Sequence, residues 1–229
     1  MRTQPNGLPP AGPLTQHDGM THVAWYFDPI SPFAWLQWPA IRALAAERQL
    51  QLRPILFAGL LQRHGHKGPA EIPAKRRFTY RYVLWRARQA GIPLRFPPAH
   101  PFNPLHALRL CVAGSTPQAV DAVLGWIWAE GRAADSIEAL APLAARLGIE
   151  APESALSAPA VKAGLQQNFD AAVSVGVFGV PTLAIDGELF WGEDATAFAL
   201  AVLDRPSLLQ DAEMSRLDAL PVGVRRPGS

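Results

Sequence analysis

Cysteine is almost missing from this chain, since Cys111 is the single cysteine among its 229 residues. One cysteine excludes an intramolecular disulfide, and it excludes any metal site built from several thiolates. Residues 105–113 around it have an amphipathic helical pattern, in which an isolated cysteine is usually a small buried hydrophobic residue. We therefore interpret Cys111 as a core residue.

The chain also lacks a long apolar run, a large charge imbalance and an apolar leader. No stretch approaches the roughly 18 to 20 apolar residues that a membrane span requires. The formal charge of +2 at neutral pH gives little reason to expect nucleic acid as a partner. Residues 1–20 are rich in proline and glycine and have no apolar core of a secretory signal, so we interpret them as a disordered lead. These absences predict a cytoplasmic protein that binds neither membrane nor nucleic acid.

Apolar residues are abundant, at 49% of the chain, which is enough for a sizeable core. Residues 23–27 are β-branched and aromatic and predict a strand. The following Ser31-Pro32 pair matches a helix N-cap with proline in the first turn, and it predicts a helix over 32–48 that is kinked at Pro39. A second strand is predicted over 50–57, which completes a βαβ unit.

A long helical region separates these elements from a second block of strands. Strands are predicted at 181–185 and 188–191, joined by Asp186-Gly187, which is a strong hairpin signal, and a last helix is predicted at 195–203. We expect one sheet domain made of 21–58 and 165–204, with an all-helical domain inserted at 59–164. The remaining residues, 205–229, are interpreted as a C-terminal tail that ends in disorder. Helices are predicted at 74–90, 104–113, 117–130, 136–147 and from 159 onward.

Ser31 and Ala34 occupy the positions where a thioredoxin-type chain carries C-x-x-C, between a strand and a helix. Dithiol chemistry is impossible with these two residues, although the strand-to-helix geometry can be retained. An external thiol would fit beside Ser31, where the helix N-terminus stabilises a thiolate. The alternative is that Ser31 is an ordinary N-cap.

A proline at the start of a predicted interior strand is the second notable signal. Pro181 has no backbone donor, which suits the first position of a strand. A cis Val180-Pro181 bond would turn the Val180 backbone outward, where it can pair with an extended peptide. A trans bond at an ordinary strand edge is the alternative that the local sequence leaves open.

Three separated segments carry a family resemblance: F-D-P-I-S-P-F-A-W at 27–35, V-F-G-V-P-T at 177–182 and F-W-G-E-D at 190–194. With 91–97 and 102–104, they make the chain resemble the glutathione-using branch of the DsbA-like thioredoxin superfamily over residues 22–204. More closely, it resembles the 2-hydroxychromene-2-carboxylate isomerases and kappa-class glutathione transferases. The resemblance implies an α/β thioredoxin-like fold with an inserted all-helical domain, bound glutathione as cofactor, and usually a homodimer.

The resemblance also implies roles for individual residues. Ser31 would hydrogen-bond the glutathione sulfur as the catalytic residue, the Val180 backbone would pair with the tripeptide, and Asp194 would hold the γ-glutamyl end. Further cofactor contacts are expected from Pro32, Phe33, Lys75, Pro181 and Ala195. His66 departs from the asparagine that relatives carry nearby, which puts one polar glutathione contact in question.

Trp35, Trp85 and Asn103 are the candidate substrate residues. The two tryptophans could form aromatic walls, although aromatic residues at helical spacing are more often core. Asn103 stands before a proline, which is also an ordinary turn signal. Lys75 leads a basic stretch with Arg77, Arg81 and Arg88, which is either a solvated face or a source of contacts to carboxylates. His64 and His66 alone are too few for a metal site, and none is expected.

The function that the resemblance implies is a glutathione-dependent cis/trans isomerisation. Reversible addition of the thiolate to 2-hydroxychromene-2-carboxylate, or to a similar aromatic-degradation intermediate, would allow rotation about a former double bond. One alternative is a kappa-like glutathione transferase that conjugates hydrophobic electrophiles. An alternative of another class is a non-catalytic protein that binds glutathione or a peptide.

Overall fold

Four strands form one mixed sheet in the computed structural model, which describes residues 21–224. The strand order is β2-β1-β3-β4, with β2 parallel to β1 and with the pairs β1–β3 and β3–β4 antiparallel. The predicted βαβ unit and the predicted interior position of β3 are both confirmed. The strands are β1 (Val23–Phe27), β2 (Gln51–Pro54), β3 (Thr182–Ile185) and β4 (Glu188–Trp191).

Helix α1, Pro32–Glu47, connects β1 to β2 and continues through Pro39. The other helices of the described residues follow β2, and the last two of them lie after β4. They are α2 (Phe57–His64), α3 (Pro73–Gln89), α4 (Leu105–Gly114), α5 (Pro117–Leu124), α6 (Ile137–Arg146), α7 (Pro152–Ser157), α8 (Pro159–Ser174), α9 (Thr196–Asp204) and α10 (Ala212–Asp218), with short helical turns at Pro69–Glu71, Gly125–Ala129 and Pro206–Gln210.

Two predicted elements end earlier than the sequence pattern indicates. Strand β2 stops at Pro54 because the backbone amide of Phe57 donates to the Asp28 carboxylate and begins α2, a helix that the sequence analysis missed. The predicted helix over 117–130 is α5 followed by a π-helical turn. Helix α7 was also not predicted.

The predicted domain boundaries fall within helices, at 58–59 in α2 and at 164–165 in α8, and the division into two domains stays a prediction. In the predicted tail, residues 206–218 form a helical turn and α10. The lead at 1–20 and the last residues of the tail lie outside the described residues. Within residues 21–224, no helix has both the length and the apolar character for a membrane span.

The hairpin between β3 and β4 turns at Asp186-Gly187, as predicted. Both residues have positive φ, 49° and 90°, which is the conformation of a tight two-residue hairpin turn. The Asp186 side chain also accepts a hydrogen bond of 2.7 Å from the His22 backbone, which ties the turn to the residue before β1.

The main core lies between the sheet and the helices and contains a stack of aromatic rings. Trp25 and Phe27 of β1 stack at 4.2 Å, and Trp38 of α1 lies 5.6 Å from Trp25. Cys111 is buried in the same core, as predicted, and burial raises the pKa of its thiol. The sheet therefore supplies a rigid base for the residues that follow its strands.

Gln37 is a buried amide side chain beside this stack, with 1% of its surface exposed. Its oxygen accepts from the Trp25 indole at 2.7 Å. Its nitrogen donates to the Gly192 carbonyl at 3.2 Å and to the Thr196 hydroxyl at 3.0 Å. Gln37 thus joins α1 to the turn between β4 and α9.

We expect Gln37→Leu to lower the free energy of unfolding by roughly 1–3 kcal/mol, because a buried indole N–H is left without an acceptor. Gln167→Leu is the matched control, since Gln167 is exposed on α8, and a change within about 0.5 kcal/mol is expected there. Urea unfolding of both variants measures the difference. Equal stabilities would contradict the role assigned to Gln37.

Candidate functional site

Three loops meet at one edge of the sheet because of the strand register. Tyr26 pairs with Thr182, and Thr182 pairs with Trp191. In an antiparallel arrangement, the end of β1, the start of β3 and the end of β4 therefore lie side by side. The loops at this edge are 28–31, 177–181 and 192–195, and they carry most of the residues predicted to bind the cofactor.

Ser31 heads α1 and is 8% exposed. Its backbone amide donates to the Asp28 carbonyl at 2.9 Å, and its own carbonyl accepts from Ala34 at 3.0 Å. The side chain makes no cap hydrogen bond, and within residues 21–224 no partner of its hydroxyl is found. Ser31 therefore occupies the N-cap position while its hydroxyl is available to a ligand.

The electrostatic field at the start of α1 favours an anion. A helix N-terminus carries a partial positive charge, and backbone N–H groups point outward there. The first turn of α1 contains no acidic residue that would cancel this charge. Ala34, at the second position of the C-x-x-C pattern, is completely buried and offers no thiol. A thiolate at this position would have to come from a bound molecule.

Asp28 is a buried acid directly behind this helix start, and the sequence analysis did not assign it a role. Its oxygens accept from the amides of Ile30 at 3.0 Å and Phe57 at 2.9 Å. Burial raises the pKa of the Asp28 carboxyl to about 7, although both hydrogen bonds act in the opposite direction. An acidic residue immediately after an apolar strand was the signal that could have identified it.

The second loop presents an unused backbone edge. The Val180–Pro181 bond is cis, and within the described part of the chain neither the amide nor the carbonyl of Val180 has a hydrogen-bond partner. Neighbouring groups are satisfied, since the Pro181 carbonyl accepts from Gly192 at 2.9 Å and the Thr182 hydroxyl donates to Gly179 at 2.8 Å. An extended peptide could pair with the Val180 backbone without displacing a bond described here.

The third loop carries two acidic residues with different surroundings. Glu193 accepts two hydrogen bonds from Arg86 of α3, at 2.7 and 2.8 Å, and Arg86 also donates to the Tyr82 hydroxyl at 3.2 Å. Asp194 is exposed, and Ala195 is half-buried just before α9. Because Arg86 pairs with Glu193, the exposed Asp194 carboxylate is the one that suits a ligand ammonium group.

An open, shallow groove of about 480 Å³ lies on the exposed face of α3, and all of its lining residues belong to that helix. Phe78 and Tyr82 stack at 5.7 Å with an angle of 9° between their rings, and Phe33 of α1 lies 6.4 Å from Tyr82. The rings of Phe78 and Trp85 are 67% and 54% exposed. The groove is lined by Ala74, Arg77, Phe78, Arg81, Tyr82 and Trp85.

Arg77 and Arg81 give this groove its charge. Both are exposed on α3, and no ion pair formed by either residue is found within residues 21–224. Aromatic faces beside free guanidinium groups suit a ligand that has a ring and a carboxylate. Of the predicted substrate residues, Trp85 belongs to this groove.

The structure does not bring every predicted residue to the three loops. Lys75 is exposed in the first turn of α3. The Trp35 indole donates to the Pro93 carbonyl at 2.8 Å, and the Asn103 side chain accepts from Leu105 at 3.1 Å, which is a turn role. His66 is exposed next to the end of α2. Within the described ranges, no three residues of the metal-ligating types are clustered.

Comparison with known proteins gives one family model, described as a DsbA-like thioredoxin domain, which matches residues 22–204. The chain is 32% identical over 182 residues to 2-hydroxychromene-2-carboxylate isomerase from Pseudomonas putida, covering 75% of this chain and 89% of that protein. It is 27% identical over 194 residues to glutathione S-transferase kappa 1 from Homo sapiens, covering 75% and 86%.

A solved structure of 2-hydroxychromene-2-carboxylate isomerase is similar in fold, with a TM-score of 0.69 and 26% identity. The match covers 84% of this chain and 98% of that chain. The predicted thioredoxin-like α/β fold with a helical insertion is therefore confirmed.

Asp28→Asn should change how stability depends on pH. The folded-state pKa of about 7 lies above the ordinary value of 3.8. Between these pH values the carboxyl is ionised in the unfolded chain and protonated in the folded one. The free energy of unfolding of the wild type therefore falls as pH rises through this interval. Across this interval, the free energy of unfolding of D28N relative to that of the wild type should rise by up to roughly 4 kcal/mol. Urea unfolding at several pH values between 4 and 7 measures it.

The informative quantity is the slope of the free energy of unfolding against pH. The absolute stability of D28N is lower at every pH because the hydrogen bond from Phe57 is lost. Asp135→Asn, at an exposed position, is the control and should follow the wild-type profile. A D28N profile parallel to the wild type would show that Asp28 does not titrate in this range.

Proposed function

We propose that this chain is a glutathione-dependent cis/trans isomerase. It belongs to the DsbA-like thioredoxin-domain family, together with 2-hydroxychromene-2-carboxylate isomerases and kappa-class glutathione transferases. Its substrate would be 2-hydroxychromene-2-carboxylate or a similar aromatic-degradation intermediate. The observation that carries the proposal is the Ser31 hydroxyl, which stands without a cap bond at the head of α1 in a Ser-x-x-Ala motif.

The three loops offer groups that match the parts of glutathione. The Ser31 hydroxyl and the α1 N-terminus suit its sulfur, and the unpaired backbone of Val180 suits its peptide groups. The exposed carboxylate of Asp194 suits its ammonium group. Pro32 and Pro181 are buried beside these positions, and we propose that their rings shape the cleft. Lys75, Phe33 and Ala195 are retained as further proposed contacts.

Bound glutathione would supply a thiolate that adds reversibly to a conjugated carbon and leaves again unchanged. The chain's own contribution is to hold that sulfur as an anion. Ser31 donates its hydroxyl hydrogen to the sulfur, and the start of α1 adds a partial positive charge. Since neither Ser31 nor Ala34 can form a disulfide, no dithiol reaction competes at this position.

The groove on α3 suits the substrate side of this reaction. An aromatic acid could stack on Phe78 and Tyr82, while Arg77 and Arg81 receive its carboxylate. Phe33 connects the groove to the first turn of α1, two residues after Ser31. Trp35 and Asn103 are weaker substrate candidates, since the indole N–H and the amide oxygen already bond to the backbone.

The main alternative is a kappa-like glutathione transferase, in which the sulfur stays attached to a hydrophobic electrophile. The 27% identity to a human kappa transferase supports it. A non-catalytic glutathione- or peptide-binding protein is the alternative of another class, and binding without turnover would favour it.

We also propose, on the resemblance, that the chain is a cytoplasmic homodimer. Sedimentation analysis tests the assembly.

Ser31→Ala should lower the isomerisation rate constant by roughly 10²-fold, because one preorganised donor to a developing charge is lost. Ser31→Thr keeps a hydroxyl and should retain more activity, and Ser157→Ala on α7 is the control away from the site. The assay follows the isomer ratio spectroscopically and the amount of free glutathione. A wild-type rate in S31A would refute the role of Ser31, and loss of free glutathione as conjugate would favour the transferase.

Arg77→Ala and Arg81→Ala should each raise the KM for an aromatic carboxylate roughly two- to fivefold, as expected when one exposed charge contact is lost. The turnover number should change less. Arg88→Ala, on the same helix but outside the groove, is the matched control. Turnover of a neutral aromatic electrophile should be insensitive to all three changes. An unchanged KM in both R77A and R81A would place the carboxylate elsewhere.

A further inference from the structure

Two side chains from the long helical region donate to successive carbonyls of the loop before Ser31. The Trp128 indole donates to the Pro29 carbonyl at 2.8 Å, from 99 residues away. The His100 Nε2 lies 2.8 Å from the Ile30 carbonyl oxygen, across 70 residues. Both carbonyls are therefore directed at the helical region.

The hydrogen-bond partners define the state of the His100 ring. A carbonyl oxygen can only accept, so Nε2 carries the hydrogen, and in the neutral ring Nδ1 is an acceptor. The Tyr80 hydroxyl lies 2.6 Å from Nδ1 and is placed to donate to it. Burial, together with the nearby charge of Arg76, lowers the pKa of His100 and favours this neutral form.

Arg76 completes the support of this ring. Its guanidinium donates to the Tyr80 hydroxyl at 3.1 Å and to the His100 carbonyl at 2.8 Å. The same hydroxyl lies 2.8 Å from that carbonyl, which Arg76 already supplies with a donor. Phe96, Phe102 and Trp128 contact the imidazole edge-on, with centroids 5.4 to 6.1 Å away. The ring thus has one orientation, and that orientation suits the Ile30 carbonyl.

Other polar groups of the loop backbone also have partners. The amides of Ile30 and Ser31 donate to Asp28, and the Ser31 carbonyl accepts from Ala34. The Ser31 hydroxyl has no partner within residues 21–224. If the Ile30 carbonyl lost its donor, the peptide between Ile30 and Ser31 could rotate and turn its negative end toward the helix start.

We infer that His100 is a positioning residue, which Tyr80 orients and which holds the Ile30 carbonyl away from the anion site so that Ser31 and the α1 N-terminus face the bound thiol. His100 acts through Ile30 and touches neither the thiol nor the substrate. The expected effect on a bound thiol rests on the proposed function. The expected effect on the loop backbone rests on the geometry alone.

The test compares His100→Leu, which removes the donor, with His100→Gln, whose side-chain amide can replace Nε2. Absorbance of the glutathione thiolate near 240 nm, titrated with pH in the presence of each protein, gives the pKa of the bound thiol. We expect H100L to raise that pKa by roughly half a unit or more, the size of a weakened helix-terminus interaction. H100Q should recover most of the shift, and His64→Leu on exposed α2 is the control.

Amide hydrogen exchange at Ile30 and Ser31 is the structural readout, and it does not require glutathione. Exchange should be at least about tenfold faster in H100L, since a released loop opens more often. Tyr80→Phe should shift both readouts in the same direction by less, which keeps the test available if H100L does not fold.

The outcomes separate this inference from the proposed function. If the wild type fails to lower the thiol pKa of glutathione, the proposed function fails, while faster exchange in H100L still supports the positioning role. If the thiol pKa is lowered in the wild type and unchanged in both H100L and Y80F, His100 does not position the site. Unchanged exchange in both variants would refute the inference independently of glutathione.

Discussion

The candidate site depends on the hydrogen bonds that hold the backbone of the buried turn between β1 and α1. A buried amide or carbonyl without a partner costs free energy comparable to a lost hydrogen bond. Asp28 accepts from the amides of Ile30 and Ser31, and the side chains of Trp128 and His100 donate to the carbonyls of Pro29 and Ile30. The loop therefore has one conformation, and the Ser31 hydroxyl within it is left for a ligand.

The same turn combines two opposing electrostatic elements. The start of α1 attracts an anion, whereas the carboxylate of Asp28 behind it would repel one. Enclosure reduces this conflict, because it raises the pKa of Asp28 to about 7 and leaves the carboxyl partly protonated near neutrality. An ionised acid in the first turn of α1 would weaken the site, and none is present there.

Local sequence signals predicted the positions of helix starts and turns. Contacts between residues distant in the sequence could not be predicted in this way. Ser31-Pro32 and Asp186-Gly187 each determine a helix start or a turn within a few residues, so the pattern was sufficient. The contact between His100 and Ile30 depends on how α3 and the following loop pack against the sheet, and no local pattern encodes it. Phe57 illustrates the same limit, because a bond from its amide to Asp28 begins a helix where apolar residues predicted a strand.

Some residues of the candidate site could be predicted from the sequence, and others were identified only from the packing. Ser31, Val180 and Asp194 could be named because their segments resemble a family, and the strand register brings their loops to one edge. From the sequence, Trp85 could be an aromatic wall or a core residue, and the arginines of α3 could form a solvated face or contact carboxylates, since helical spacing alone does not say which stripe is covered. Only the packing of α3 against α1 showed that the Phe78 and Trp85 rings remain exposed.

The buried position of Cys111 has a consequence for how the protein meets oxidants. Its thiol lies within the core at 3% exposure, and burial raises its pKa, so it offers almost no thiolate. A disulfide in solution would find no accessible thiol on the folded chain with which to form a mixed disulfide. While the protein is folded, Cys111 should therefore resist S-glutathionylation and thiol alkylating agents.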